Sequence, residues 1–584
     1  MIRWSNLLLC VLLLLARTVQ AATLPAVEAA NGMVVSAHRL ASEVGVAMLQ
    51  QGGNAIDAAV AVGYAEAVVN PCCGNIGGGG FMVAHLADGR DVFLNFRETA
   101  PAAATPGMYL DAGGKMVPGA SLNGWRAVAV PGTVLGLDTA LTQYGTLPRS
   151  VVMAPAIRLA REGFVLNRYD TDIMQRFTAT FRRESNVARI FLRADGSPPQ
   201  PGDRLVQSDL ADTLQAIADG GPDAFYRGRI PQEVEAASRA GGGIISAADF
   251  AAYRVTQSAP LSCVYRGFLF LSAPPPSSGG VTLCEILQIL EGYDMRSLGF
   301  HSAQAVHVMA EAMRHAFFDR NNYLGDPAFV ANPIDSLLSP AHIRAIRTQI
   351  GDRATPSSHL IAGAVLHEHT ETTHYSIIDK AGNAVSVTYT LNGGFGAGVI
   401  AGDTGFLLND EMDDFTVQPG VANHYGLVQG EANAIAAGKR PLSSMAPTLV
   451  LRDGHVFLVL GSPGGARIIT IALETVLNII DYGMAPQEAV DAPRFHHQWL
   501  PDEIVAEPFA LSPDTQTLLQ AMGYRIAEQK PWGATELIEV APPQPAPDRA
   551  APSGDDAAAS GTLRPGFYYG ANDARRPAGA AIGY

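Results

Sequence analysis

The chain has 584 residues, of which 48% are hydrophobic and 16% charged. That balance belongs to a folded protein and excludes a disordered one, and the length has room for two to four domains. The formal net charge of −15, with no basic cluster to offset it, disfavours nucleic acid and anionic membrane as partners.

Residues 1–21 read as a secretory signal: Arg3 in a short charged region, an apolar run from Leu7 to Ala16, then Val19-Gln20-Ala21 as a small-residue cleavage site. The run is about half of what spans a bilayer, so removal is expected and stable membrane insertion is not. Loss of Arg3 and Arg17 takes the charge from −15 to −17. The compartment beyond is oxidising, periplasmic or extracellular. Of the remaining cysteines, Cys72 and Cys73 are adjacent and Cys263 and Cys284 flank a strand and a helix; all four are expected to be buried thiols.

Further along, Ala41–Gln50 and Ala55–Val69 have alanine-rich helical spacing, with Gly52-Gly53 as a stop between them. Gly77 to Gly80 lead into a strand from Phe81 to His85. With no Lys-Ser/Thr behind them, these glycines serve close backbone packing and not phosphate binding. Arg97 follows the strand in FLNFRETAP. From Pro131 to about Arg320 the spacing is helical, over Gly132–Tyr144, Ser150–Gly163, Asp209–Asp219 and Val281–Gly292. Ser302 is placed to cap a helix running to Tyr323, with Val306, Met309 and Met313 on its buried face. This half is expected to be scaffold without chemistry.

Residues 352–371 have no clear period and suggest an exposed segment. His367, His369 and His374 lack a carboxylate at a metal-site spacing, so no metal is expected from them. Residues 371–392 then read as a hairpin. Val385, Val387 and Tyr389 alternate with Ser386, Thr388 and Thr390, the pattern of a strand with one wet and one dry face. Lys380-Ala381-Gly382 is the turn, with Gly382 in the left-handed position. A loop centred on Ala381 pairs residues whose numbers sum to 762, which sets Thr372 opposite Thr390. A threonine hydroxyl is a weak nucleophile unless a base adjoins it. If the Glu371–Thr372 bond is cut, Thr372 acquires its own base, an α-amine of pKa about 7.7–8.0.

Beyond the hairpin, Asn409 to Phe415 gather four acids in seven residues. Ser443 and Ser444 follow in PLSSMAPT, and GSPGGARIIT sets Gly464 and Gly465 before an apolar helix, where backbone N–H groups suit an oxyanion. Ser462 does not stand in the Gly-x-Ser-x-Gly elbow of a serine hydrolase. His496 and His497 are expected to be structural. Residues 541–565 are low in complexity and read as a disordered insertion, and the tail YYGANDARRPAGAAIGY as one closing strand.

The blocks GGNAIDAAVA, NIGGGGFMV, NFRETAP, AVPGTVLGL, PPPSSGG and YLGDP, followed by TTHYSIID, NAVSVTYTLN, GDTGFLLNDEMDDF, KRPLSSMAPT and GSPGGARIIT, together resemble the γ-glutamyltransferase family, also called glutathione hydrolases. The resemblance implies an α/β (α+β) fold, a four-layer αββα sandwich of the N-terminal-nucleophile hydrolase type. It also implies self-cleavage into a large subunit, residues 22–371, and a small one, 372–584, that stay together as a heterodimer. By the same resemblance Thr372 is the nucleophile, Thr390 orients it, and Gly464 and Gly465 stabilise the oxyanion. Arg97, Ser443 and Ser444 hold the substrate α-carboxylate; Asn392, Glu411 and Asp414 hold the α-ammonium. Residues 417–430 correspond to a loop covering the pocket. The implied partners are γ-glutamyl compounds such as glutathione, with water, amino acids or peptides as acceptors, and no cofactor is implied. A cephalosporin or glutaryl acylase of the same fold, or a silent secreted binding protein, are the alternatives.

Overall fold

The computed structural model describes residues 23–360, 372–541 and 563–584. The signal, Glu371, His367, His369 and most of the 541–565 insertion lie outside them. Among the described residues the hairpin forms as expected, Thr373–Asp379 against Ala384–Thr390, in the register that sums to 762. Gly382 has φ +90°.

This hairpin is the centre of a seven-stranded sheet. Its order is Ala580–Gly583, Gly32–Ser36, Thr373–Asp379, Ala384–Thr390, Gly79–His85, Asp91–Asn95 and Thr256–Ser258. A second seven-stranded sheet runs Val27–Ala29, Tyr568–Asn572, Glu536–Val540, His455–Leu460, Thr448–Arg452, Phe268–Ser272 and Leu261–Tyr265. All neighbours in both sheets are antiparallel.

Three apolar clusters define the layers. Tyr375, Ile377, Val385, Val387 and Tyr389 pack outward against the helices Arg39–Gln50 and Ala55–Val69. Ile378, Ala384, Phe81 and Val83 pack between the sheets, against Leu449, Val459 and Ile538. Val450, Leu458 and Leu537 face a second helical layer built on Gly279–Leu290, Ala303–Tyr323 and Ile468–Ile480. This is the αββα sandwich. Both halves of the chain supply strands to both sheets, so the length encodes one domain where it had room for several.

The expected wet face of the hairpin is not wet. Every residue of both strands is buried, and the alternation instead separates an apolar helix-facing side from a polar side sealed between the sheets. There Ser376 Oγ donates to Glu536 O at 2.8 Å and Ser386 Oγ donates to Leu460 O at 3.0 Å. His374 hydrogen-bonds Thr388 Oγ1 at 2.8 Å, and burial lowers its pKa to about 3. Buried hydroxyls persist because the facing strands satisfy them.

Two further expectations are corrected. The cysteines are not thiols: Cys72 is bonded to Cys73, and Cys263 to Cys284. The latter pair joins the strand Leu261–Tyr265 to the helix Gly279–Leu290, which packs on it and brings the α-carbons to 5.9 Å. The tail forms two strands, not one. Tyr568–Asn572 enters the second sheet and Ala580–Gly583 edges the hairpin sheet, so the last residues tie both together. The helices lie close to their expected bounds, with Ala55–Val69 and the end at Tyr323 as read, and Ser302 Oγ accepts from Ala305 N at 3.1 Å.

Candidate active site

Thr372 and Thr390 lie on the side of the hairpin that faces the second sheet, at its open end. Their Oγ1 atoms are 3.5 Å apart, the outer limit of a hydrogen bond. Thr390 Oγ1 accepts from the Asn392 backbone N–H at 2.8 Å, which fixes its rotamer. The Thr372 carbonyl accepts from Arg576, in the tail, at 3.3 and 3.4 Å. The glycine run fits its expected role. A Cβ on Gly78 would stand 1.9 Å from the Thr390 carbonyl oxygen, so only glycine lets that backbone approach the hairpin end.

One pocket is lined by Thr372, Thr390, Asn392, Arg97, Glu411, Asp414, Ser443, Ser444 and Gly465. Residues as far apart as 97 and 465 thus converge on the hairpin end. Gly464 is not in the lining; it stands behind Gly465, and a Cβ there would meet Ile471 at 2.9 Å. Gly464 (φ +145°) and Gly465 (φ +56°) make the turn that precedes the helix Ile468–Ile480. Tyr425, from the segment 417–430, also lines the pocket, and its hydroxyl donates to the Asn392 carbonyl at 2.8 Å.

Arg97 is fully buried two residues past the strand Asp91–Asn95. It donates Nη1 to Glu411 and Nη2 to Asp414, and Nε to Pro441 O at 3.2 Å. Glu98 lies 3.6 Å from Nη1. Burial opposes the Arg97 charge, but the carboxylates of Glu411, Asp414 and Glu98 outweigh it and hold the proton more firmly than usual. Burial also pushes the carboxyls up: Glu98 to about 7, and Glu411 well above the ordinary range despite Arg97. The residues read from the sequence as separate carboxylate and ammonium contacts are therefore in direct ion pairing with one another.

Arg320 is a pocket residue that none of the sequence motifs flags. The half expected to be scaffold sends this side chain from the last turn of the helix Ala303–Tyr323 into the pocket. It donates Nη2 to Ser444 Oγ at 2.8 Å, Nε to Ser278 Oγ at 2.9 Å, and Nη1 to Asn321 at 2.7 Å and Gln429 at 3.2 Å. All four acceptors are neutral. Burial lowers its pKa to about 10, with the field of Asp414 opposing that shift only in part. A signal was present: the buried face Val306, Met309, Met313 continues at three- and four-residue steps to Arg320, an arginine where an apolar residue belongs. Ser277 and Ser278 lie in the same stretch expected to be scaffold, just after Pro274-Pro275-Pro276. Ser278 donates Oγ to Ser443 O at 2.7 Å and Ser277 donates Oγ to Met445 O at 2.5 Å, so this turn clamps the serine loop.

His496 and His497 are buried in hydrogen bonds outside the pocket lining, as expected of structural residues. Ser462 is likewise outside it, donating to Pro463 O at 2.7 Å.

Residues 41–579 match the family model described as gamma-glutamyltranspeptidase. The chain belongs to this family. Among the relatives of the gamma-glutamyltranspeptidase chain is a glutathione hydrolase proenzyme of Pseudomonas sp. (strain A14), 54% identical over 97% of this chain and 96% of that one. A solved cephalosporin acylase from Bacillus halodurans superimposes with TM-score 0.80 at 26% identity, over 97% of this chain and 98% of the other. The Helicobacter pylori gamma-glutamyltranspeptidase chain gives TM-score 0.55 at 42% identity, over 58% of this chain and 95% of that one. The sandwich and its N-terminal-nucleophile type are those of these neighbours.

Proposed function

We propose that the protein is a self-processing γ-glutamyltransferase and glutathione hydrolase. One observation carries this reading: a threonine pair and a set of opposed buried charges line the same pocket. In the precursor, the Thr372 hydroxyl attacks the Glu371 carbonyl and the peptide C–N bond breaks, so the Glu371 acyl group passes to Oγ1 as an ester and the amine takes up the proton; water then hydrolyses that ester, which frees the Glu371 carboxylate and restores the Thr372 hydroxyl beside its new amine. Residues 22–371 and 372–584 remain associated through the two shared sheets. The word proenzyme in the name of the Pseudomonas relative accords with such processing.

In the mature enzyme the Thr372 amine takes the hydroxyl proton as Oγ1 attacks the γ-carbonyl of the donor. Thr390 orients that oxygen. The N–H groups of Gly464 and Gly465 stabilise the oxyanion, an effect of about 2.7–4 kcal/mol per donor in comparable sites. The amide C–N bond breaks, the amine leaves with the proton, and a γ-glutamyl ester remains on Thr372. Water or an acceptor amine then attacks the ester and restores the threonine. Arg97, Ser443 and Ser444 receive the α-carboxylate, with Arg320 as a second guanidinium behind Ser444. Asn392, Glu411 and Asp414 receive the α-ammonium. Fixing the amino-acid end in this way presents the γ-carbonyl to Thr372 and lowers the barrier through orientation.

The two disulfides and the signal-like N-terminus support export to a periplasmic or extracellular compartment. Among the described residues no helix is long and apolar enough to cross a membrane. A glutaryl acylase is disfavoured by the charges, since a glutaryl side chain has no α-ammonium to meet Glu411 and Asp414.

The decisive experiment is Thr372→Ala. It should yield one uncut chain without γ-glutamyl anilide hydrolysis, whereas the parent shows two bands on a denaturing gel and a second N-terminus beginning Thr-Thr-His-Tyr. Two bands from the variant would remove this hydroxyl from self-cleavage.

A further inference from the structure

The helical layer over the second sheet contains a group of side chains that the acyl-transfer chemistry does not use. Glu285 comes from the helix Gly279–Leu290, Asp319 from Ala303–Tyr323 and His342 from Pro340–Gln349. One donor atom from each lies within 4.8 Å of the others. His342 Nε2 is 2.7 Å from Asp319 Oδ2 and 3.6 Å from Glu285 Oε1. We propose that Glu285, Asp319 and His342 form a site for a single Zn²⁺-type ion that staples these three helices.

Two observations point to a ligand. First, Glu285 is 1% exposed and its Oε1 makes no hydrogen bond, only a looser ion pair with His342 Nε2 at 3.6 Å. Leaving a buried carboxylate oxygen unsatisfied costs at least about 1–3 kcal/mol. Second, the spacing suits tetrahedral coordination. Ligand arms of about 2.0–2.2 Å require donor atoms a little over 3 Å apart, which the present separations of 2.7 and 3.6 Å bracket.

The donor set selects the metal. An imidazole with two carboxylates matches zinc, whereas magnesium and calcium prefer six or more oxygens. His342 has a side chain 32% exposed, which provides an access route and a place for water as the fourth ligand. His315, one turn before Asp319 on the same helix, is buried with Nε2 unpartnered and stands as a neighbouring polar group. The site is structural. Its link to the pocket is that Asp319 precedes Arg320, so an ion here fixes the turn that carries the second guanidinium.

The test uses the full processed enzyme, stripped with chelator and titrated with Zn²⁺ alone in a calorimeter. One equivalent should bind and raise Tm. Glu285→Gln, nearly isosteric and still able to hydrogen-bond His342, should weaken that binding at least about tenfold, and His342→Ala should do the same. X-ray absorption of the zinc-loaded parent should show nitrogen and oxygen at about 2.0 Å with one imidazole per zinc, a readout that needs no variant. The uncut Thr372→Ala chain should bind equally, which separates this site from the fate of Thr372. Absence of stoichiometric binding, equal affinity in the parent and Glu285→Gln, or a preference for Mg²⁺ or Ca²⁺ over Zn²⁺ would each overturn the proposal.

Discussion

Arg97 and Arg320 reach the same pocket from positions far apart in the chain, and both are buried, but their surroundings differ in kind. Arg97 is met by Glu411, Asp414 and Glu98. Arg320 is met by Ser278, Asn321, Gln429 and Ser444. The first charge is neutralised within the protein and holds the acids in place. The second is held only by dipoles, so its field extends toward whatever anion occupies the pocket. The contrast teaches that two buried arginines can line one pocket with opposite degrees of internal pairing, one among carboxylates and the other among neutral groups.

The comparison breaks most severely at Arg97. Arg97→Ala strands Glu411, Asp414 and Glu98 without their cation, and removing one partner of a buried ion pair costs about 3–5 kcal/mol. The urea midpoint should fall accordingly. Arg97→Lys keeps a charge but not the planar fork that serves two carboxylates at once. It should still mature while the KM for a γ-glutamyl anilide rises strongly; an unchanged KM would take Arg97 out of donor binding.

Arg320 should behave differently. Arg320→Gln leaves only neutral partners behind, so stability should drop by about 1–3 kcal/mol. The KM for γ-glutamyl anilide should rise about ten- to a hundredfold, the worth of a charged hydrogen bond. A γ-aminobutyryl anilide, which has no α-carboxylate, should show no such difference between parent and variant. Equal losses on both substrates would mean that Arg320 only props the serine loop.

The smallest effect concerns Glu98. Burial raises its carboxyl to about 7, so the folded state binds a proton that the unfolded chain releases near the ordinary glutamate value. The resulting stability is full below that ordinary value and is lost as pH rises through about 7. Glu98→Gln lacks this loss, so its Tm relative to the parent should climb between pH 5 and pH 8. A flat difference would show that Arg97 keeps Glu98 ionised throughout, making its carboxylate shell tighter still.

Much of the site was legible because its parts are local. The hairpin register follows from a three-residue turn and period-two alternation, and it set Thr372 opposite Thr390 without any tertiary information. The glycine run before Phe81 was read as close packing, and Gly78 against the Thr390 carbonyl is such packing. Illegible features were those decided by what lies across a layer. Serine and threonine on the inner hairpin face read as solvent-facing, because periodicity reports that two faces differ and not what each one meets. Cys263 and Cys284 could not be paired from their spacing, since the helix that carries Cys284 had to be folded onto the strand that carries Cys263 first. Arg320 sat in plain sight on a buried helix face, but a lone arginine there gains meaning only once Ser444 arrives from residues far downstream.

The sequence by itself determined the family, the sandwich class, the hairpin and its opposed threonines, because motifs, turn chemistry and alternation act over short stretches of chain. The tertiary structure alone decided which charges neutralise one another and which stay open, which polar face is sealed between sheets, and where three helices bring Glu285, Asp319 and His342 together. Those outcomes depend on distance and burial, and both come into being only when remote segments pack.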